Sequence, residues 1–142
     1  MSSGPHYDQK ALLKIRELFA EAEKAIKYIE DFGGELVVPA VNQLRYTGNH
    51  LVRYLSSLDG DELRDAGKHA KRATYDAYEA AIVYHLLEYK KFCDDYRRIQ
   101  ISEVIPDYIK HKDKIEAART FIRDHTKSIT RGAKLSEWAK TS

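Results

Sequence analysis

Two short stretches of this chain pair an arginine with a histidine at the same separation. Arg45 and His50 lie in Leu44-Arg45-Tyr46-Thr47-Gly48-Asn49-His50-Leu51-Val52-Arg53, and Arg64 and His69 lie in Leu63-Arg64-Asp65-Ala66-Gly67-Lys68-His69-Ala70-Lys71-Arg72. The stretches coincide in Leu, Arg, Gly, His and Arg, and Arg119 with His125 makes a looser third case. The residue types suit chemistry at a phosphodiester. Imidazole exchanges a proton near neutral pH, so it can take one from a ribose 2′-hydroxyl or give one to a leaving oxygen. Guanidinium binds phosphate in a bidentate fork and stabilises the charge that grows in the transition state. On a regular helix the two side chains of each pair stand about 120–140° apart, flanking one stripe, from which they can converge on a phosphate lying over the helix.

The elements that position these pairs read as helices throughout. From about Tyr7 to Glu30, Leu12, Ile15, Phe19, Ala22, Ile26 and Ile29 recur at three-four spacing, which predicts an amphipathic helix. Asp31-Phe32-Gly33-Gly34 ends it. A second helix is expected from Pro39, a residue tolerated in a first turn, with Val41, Leu44, Gly48, Leu51, Leu55 and Leu58 as its apolar stripe. Asp59-Gly60 reads as a tight turn into an antiparallel third helix, with Asp61 as its N-cap. That helix runs from Asp61 to about Arg98. Its first half is rich in small residues (Ala66, Ala70, Ala73, Ala77, Ala80, Ala81), which permits close helix contact, and Tyr75, Tyr78, Ile82, Leu86, Tyr89, Cys93 and Tyr96 form a stripe on its second half. Such a tyrosine stripe suits a core or a dimer seam with hydroxyls at the rim; a stacking platform for bases is the alternative.

Pro106 interrupts the pattern, with Ser102 or Asp107 available to cap a fourth helix that carries Tyr108, Ile115, Ala118, Ile122, His125 and Ile129 and stops at Gly132. Leu135, Ser136 and Trp138 belong to a short tail that can dock on the bundle or on another subunit. Only Leu36-Val37-Val38 hints at a strand. The expectation is an all-α, up-down four-helix bundle with a short C-terminal helical tail, one domain over residues 1–142 with about 1–6 and 131–142 as tails.

Bulk properties narrow the classes. At 142 residues, 43% hydrophobic and 32% charged, the chain has the composition of a folded domain and not of a disordered one. Lys and Arg number 24 against 22 Asp and Glu, a balance that neither demands nor excludes nucleic acid. The single cysteine, Cys93, rules out an intramolecular disulfide framework and points to a reducing compartment. No basic start leads into an apolar N-terminal stretch and no apolar run reaches membrane-spanning length, so a cytoplasmic protein is expected.

Arg64-Asp65-x-x-x-His69 resembles the signature of HEPN domains: an arginine, usually a polar residue, a few variable positions, then histidine. The size and the all-helical reading are similar too, so the resemblance extends to most of the chain. It implies a metal-independent endoribonuclease of a toxin–antitoxin, phage-defence or RNA-processing system, acting without a cofactor, with RNA and a cognate protein as partners. It also implies a homodimer whose motifs meet across the interface. By position, Arg64 would hold phosphate, His69 would carry the proton and Asp65 would fill the polar site. Arg45 and His50 match the outer pattern, with Tyr46 where a polar residue is usual, and the family's motif commonly lies later in the chain, nearer Arg119 and His125. The residues alone leave two other readings open. One is a non-catalytic bundle that binds a partner protein or a nucleotide. The other is a helical oligomerisation module in which the arginines are solvated helix-face charges and His50 and His69 hydrogen-bond at a helix seam. The in-helix glycines, Gly48 and Gly67, each cost about 1 kcal/mol relative to alanine, and their recurrence suggests close approach of a backbone or a ligand.

Other chemistries lack their residues. His85-Leu86-Leu87-Glu88 reverses the order found in di-iron bundles, and there is no glycine-rich phosphate loop and no zinc spacing, so no metal is expected. Cys93 reads as a small core residue. Lys127, Arg131, Lys134 and Lys140, against Glu137, make a basic C-terminal stretch that reads as a solvated tail or a phosphate contact.

Overall fold

The computed structural model describes residues 3–33 and 35–128. Ile129, Gly132, the expected tail with Leu135, Ser136 and Trp138, and the basic residues Arg131, Lys134 and Lys140 with Glu137 lie outside the described residues, as do the side chains of His125 and Lys127. Helices α1 (Gln9–Gly33), α2 (Val38–Ser57), α3 (Gly60–Asp95), the single turn α4 (Ile101–Val104) and α5 (Tyr108–Ser128) follow one another, with no strand among the described residues. The protein is an all-α helical bundle. Leu36-Val37-Val38 forms no strand, because Pro39 fits the first turn of α2 and lends that turn its fixed φ. Two compact units divide the chain, Met1–Ala81 and Ile82–Ser142.

In the first unit α1, α2 and the first part of α3 pack together. Ile15, Ala22, Ala25, Ile26 and Ile29 are the buried face of α1, close to the stripe read from spacing. The alanines of α3 do what their size permits: Ala66, Ala70, Ala73 and Ala77 are completely inaccessible to solvent. The face of α2 differs from expectation. Its buried residues are Ala40, Gln43, Thr47 and Tyr54, whereas Leu55 and Leu58 are exposed. The buried face is rotated by roughly 70° from the leucine stripe, because two polar side chains find partners there. The Thr47 hydroxyl shares its proton between the carbonyls of Gln43 (3.0 Å) and of Ala66 across in α3 (3.3 Å). The Tyr54 hydroxyl accepts from the backbone N–H of Asp8 at 2.8 Å, pinning the start of α1 to α2. Ile15, Tyr54, Leu63 and Ala66 close the core at this end.

The α2–α3 turn is built differently from its sequence reading. Leu58, not a glycine, takes the left-handed conformation (φ 58°), its N–H donating to the Tyr54 carbonyl, and Gly60 already begins α3. Asp59 replaces Asp61 as the cap, its Oδ1 accepting the Asp61 N–H at 2.9 Å.

In the second unit the tyrosine stripe of α3 is half-buried to exposed. The hydroxyls of Tyr89 and of Tyr108 in α5 are 3.1 Å apart, and Cys93 Sγ lies 3.9 Å from the latter. The bond to Tyr108, with burial, pushes the Tyr89 phenol above its ordinary range. Among the described side chains of α5, Ile122 is buried.

Neither in-helix glycine marks a close approach of another part of the chain among the described residues. A Cβ on Gly48 or Gly67 would meet no atom within 4 Å. Gly48→Ala is therefore expected to raise the free energy of unfolding by about 0.5–1 kcal/mol, read from denaturant midpoints at constant slope. Ala70→Leu, which forces a branched side chain into a contact with no free space, is expected to lower it by about 1–3 kcal/mol in the same measurement.

Candidate functional site: a two-histidine row between α2 and α3

Half-buried polar side chains recur along one flank of α3 at three-four spacing: Glu62, Asp65, His69, Arg72 and Asp76. Gln43, Thr47 and Tyr54, which are buried, and His50, which is half-buried, recur at the same spacing on α2. Where these stripes face each other, six side chains form a continuous row. The rings of His50 and His69 stack, 5.2 Å between centroids and 14° from parallel. Tyr46 leans on the far side of His69 at 5.3 Å, and the Arg45 guanidinium lies over the Tyr46 ring at 5.4 Å. On the other side, His50 meets Glu62, whose second carboxylate oxygen is 4.0 Å from Arg53 Nη1. The order is Arg45, Tyr46, His69, His50, Glu62, Arg53, with a guanidinium at each end.

Hydrogen bonds set which face of each imidazole is available. His50 Nδ1–H donates to Glu62 Oε2 at 2.5 Å, and His69 Nδ1–H donates to the Gln43 carbonyl oxygen at 2.7 Å. Both acceptors require the proton on Nδ1, so each neutral ring carries its lone pair on Nε2. Neither Nε2 has a hydrogen-bond partner among the described residues. The environments then differ. Burial lowers the His69 pKa from its usual 6.5, the neighbouring His50 lowers it further, and Asp65 pulls the other way. His50 faces a full carboxylate instead of an amide.

The structure brings His50 and His69 together and sets Arg64 elsewhere. Arg64 binds Asp61 at 2.8 Å and lines a groove on the opposite flank of α3, along with residues of α1. Asp65 lies on the His69 flank, paired with Lys68 at 3.8 Å. Arg119, of the looser third pair, binds Glu116. Gln43 and Glu62 belong to the site although the arginine–histidine pattern does not include them, their signal being the periodicity of polar residues along α2 and α3, while Arg53 is the arginine that closes the first repeated stretch. Among the described residues no group of three or more His, Cys, Asp or Glu side chains is placed to hold a metal ion.

Comparison with known protein families, characterised proteins and solved structures returns no match for this chain.

The row makes a prediction about protonation. In an NMR titration His69 is expected to titrate below 6.5. His50→Gln removes a like charge, so the midpoint should rise part of the way back, while burial keeps it below the free value. Asp65→Asn removes an attraction and should lower it. Because the folded value is depressed, the unfolded chain binds this proton first, and His69 costs stability as pH falls below 6.5. A His69 midpoint indifferent to both substitutions would mean the rings are not neighbours in solution.

Proposed function

We propose that this protein cleaves RNA by metal-independent transfer to the 2′-hydroxyl, with His50 and His69 as its proton-transfer pair. One observation carries the reading: two stacked imidazoles, each fixed by an acceptor on Nδ1, each with Nε2 free of protein partners, between two arginines. His69, kept neutral by burial and by its neighbour, takes the proton of the 2′-hydroxyl. The 2′-oxygen attacks phosphorus, a bond to O2′ forms and the bond to O5′ breaks. His50, as the imidazolium facing Glu62, returns a proton to the departing 5′-oxygen. The products are a 2′,3′-cyclic phosphate and a 5′-hydroxyl, with protons and electrons balanced and no outside reactant. Arg53 and Arg45 lie where they can bind the phosphates on either side of the scissile one. Of the motif that resembles the HEPN pattern, His69 enters this chemistry and Arg64 does not; the toxin–antitoxin or phage-defence setting that the resemblance implies suits a ribonuclease.

A second reading is favoured by the outer face of α2, where Val38, Val52 and Leu55 are each more than half exposed. Such apolar surface suits a protein partner or a second copy of the chain. On that reading the bundle is a docking module, and the polar row specifies the α2–α3 seam.

RNA cleavage in excess EDTA separates the two. Wild type is expected to leave cyclic phosphate ends. His50→Gln and His69→Gln should each lower the rate by about 10²–10⁴-fold with the fold retained. Arg53→Ala should weaken it less, and Arg64→Ala should leave it intact. Loss in Arg64→Ala with retention in His50→Gln would move the site to the Arg64–His69 pairing. No cleavage by wild type, with a dimer or bound partner broken by Val52→Glu, would establish the docking module.

A further inference from the structure

On the flank of α3 away from the histidines, within the first unit, lies a groove of about 790 Å³. Its floor is apolar. Ile15, Tyr54 and Leu63, which close the core at this end, also line it, and Tyr7 stands edge-on to Tyr54 at 6.1 Å between centroids. Its rim is mainly basic, with Lys14 from α1 and Arg64, Lys68 and Lys71 from α3, and it holds one carboxylate, Asp8, whose Oδ1 accepts the Ala11 N–H at the start of α1. Three of these cations have an acidic neighbour one turn away on their own helix: Lys14 with Glu17 (3.7 Å), Arg64 with Asp61 (2.8 Å) and Lys68 with Asp65 (3.8 Å). All three are solvent-exposed pairs of the kind that contributes little and exchanges readily. No ion pair engages Lys71 among the described residues. The cations of α3 span residues 64 to 71, roughly 10 Å of helix, which matches a chain of charges better than a single carboxylate.

Gly67 supplies the second observation. It lies in the middle of α3 and lines this groove, where its lack of a side chain costs about 1 kcal/mol of helix stability. Neither packing nor backbone conformation calls for glycine here, since a Cβ would meet nothing within 4 Å. What the glycine leaves is open space on the groove wall, between the cations and the aromatic floor.

We propose that this groove is a binding site for a phosphorylated small molecule with a planar or apolar body, of about the size of a nucleoside diphosphate. Arg64, Lys68 and Lys71 hold its phosphates, and its body lies over Gly67 against Tyr54 and Leu63. The volume falls in the range of small-molecule sites, and the pairing of an apolar floor with a cationic rim selects a ligand that is apolar at one end and multiply charged at the other. This site does not depend on the two-histidine row for its argument.

Isothermal titration calorimetry on the full chain, with ADP as the probe, tests it. ADP is expected to bind saturably at one site per chain, with adenosine alone and pyrophosphate alone each weaker by at least about tenfold. Gly67→Leu fills the groove and Lys68→Glu/Lys71→Glu reverses its charge; each should weaken ADP binding by at least about tenfold. Thermal unfolding of Gly67→Leu should be unchanged or raised, and His69→Gln should bind ADP as wild type does, which separates this site from the proposed ribonuclease centre. Four results would overturn the proposal: no ADP binding, ADP binding unaffected by both groove variants, pyrophosphate as tight as ADP, or an RNA oligomer bound at these lysines in place of ADP.

Discussion

Alanine leaves α3 with almost nothing on the face it buries, and the distance between α3 and α2 follows from that. Ala66, Ala70, Ala73 and Ala77 are sealed from solvent, and α2 comes close enough for the Thr47 hydroxyl to reach the backbone carbonyl of Ala66. A leucine at any of these positions would hold the helices apart by the length of its side chain. A side chain as short as imidazole, rooted on α3, can then touch Gln43, Tyr46 and His50 of α2. The row of six polar and aromatic groups is a consequence of small residues beside it.

Close approach has a cost that the polar residues offset. Helices this near bury backbone carbonyls and half-bury side chains that a wider seam would leave in water, and each unsatisfied group costs about 1–3 kcal/mol. Thr47, Gln43, His69, His50 and Glu62 divide the partners among themselves: the threonine serves two carbonyls, the glutamine takes one imidazole and the glutamate takes the other. Imidazoles at the seam thus have a structural role whatever chemistry they carry, and their fixed tautomers follow from that role.

Much of the first unit was legible in the sequence. The existence and order of α1, α2 and α3, their limits to within about three residues, Pro39 in a first turn and the alanine face of α3 followed from period and composition, although α1 runs on through Asp31 and Phe32 to Gly33. On α2 hydrophobicity does not mark the buried face. Leu55 and Leu58 are exposed, while Gln43 and Thr47 are buried with their hydrogen bonds satisfied. The site was half legible for the same reason. Arginine and histidine at one spacing along a single helix mark His50 and His69 but couple each to an arginine on its own helix. Residues that meet across a seam share no fixed spacing in sequence, so Glu62 with His50 and Gln43 with His69 are visible only once the helices are placed. Their periodicity was legible, as polar residues at three-four spacing on both helices, although their pairing was not.

The two imidazoles are alike in sequence context and unlike in their second neighbours, and acid–base chemistry depends on that difference. A carbonyl oxygen of Gln43 orients His69 without adding a charge, so burial dominates there and favours the neutral ring. A carboxylate of Glu62 orients His50 and also balances any positive charge that forms on it. Because the rings stack, a positive charge on one opposes a positive charge on the other, and His50 adds to burial in holding the His69 pKa below its usual value. The proposed division into base and acid rests on this difference between the two second neighbours, and exchanging Gln43 with Glu62 would reverse it.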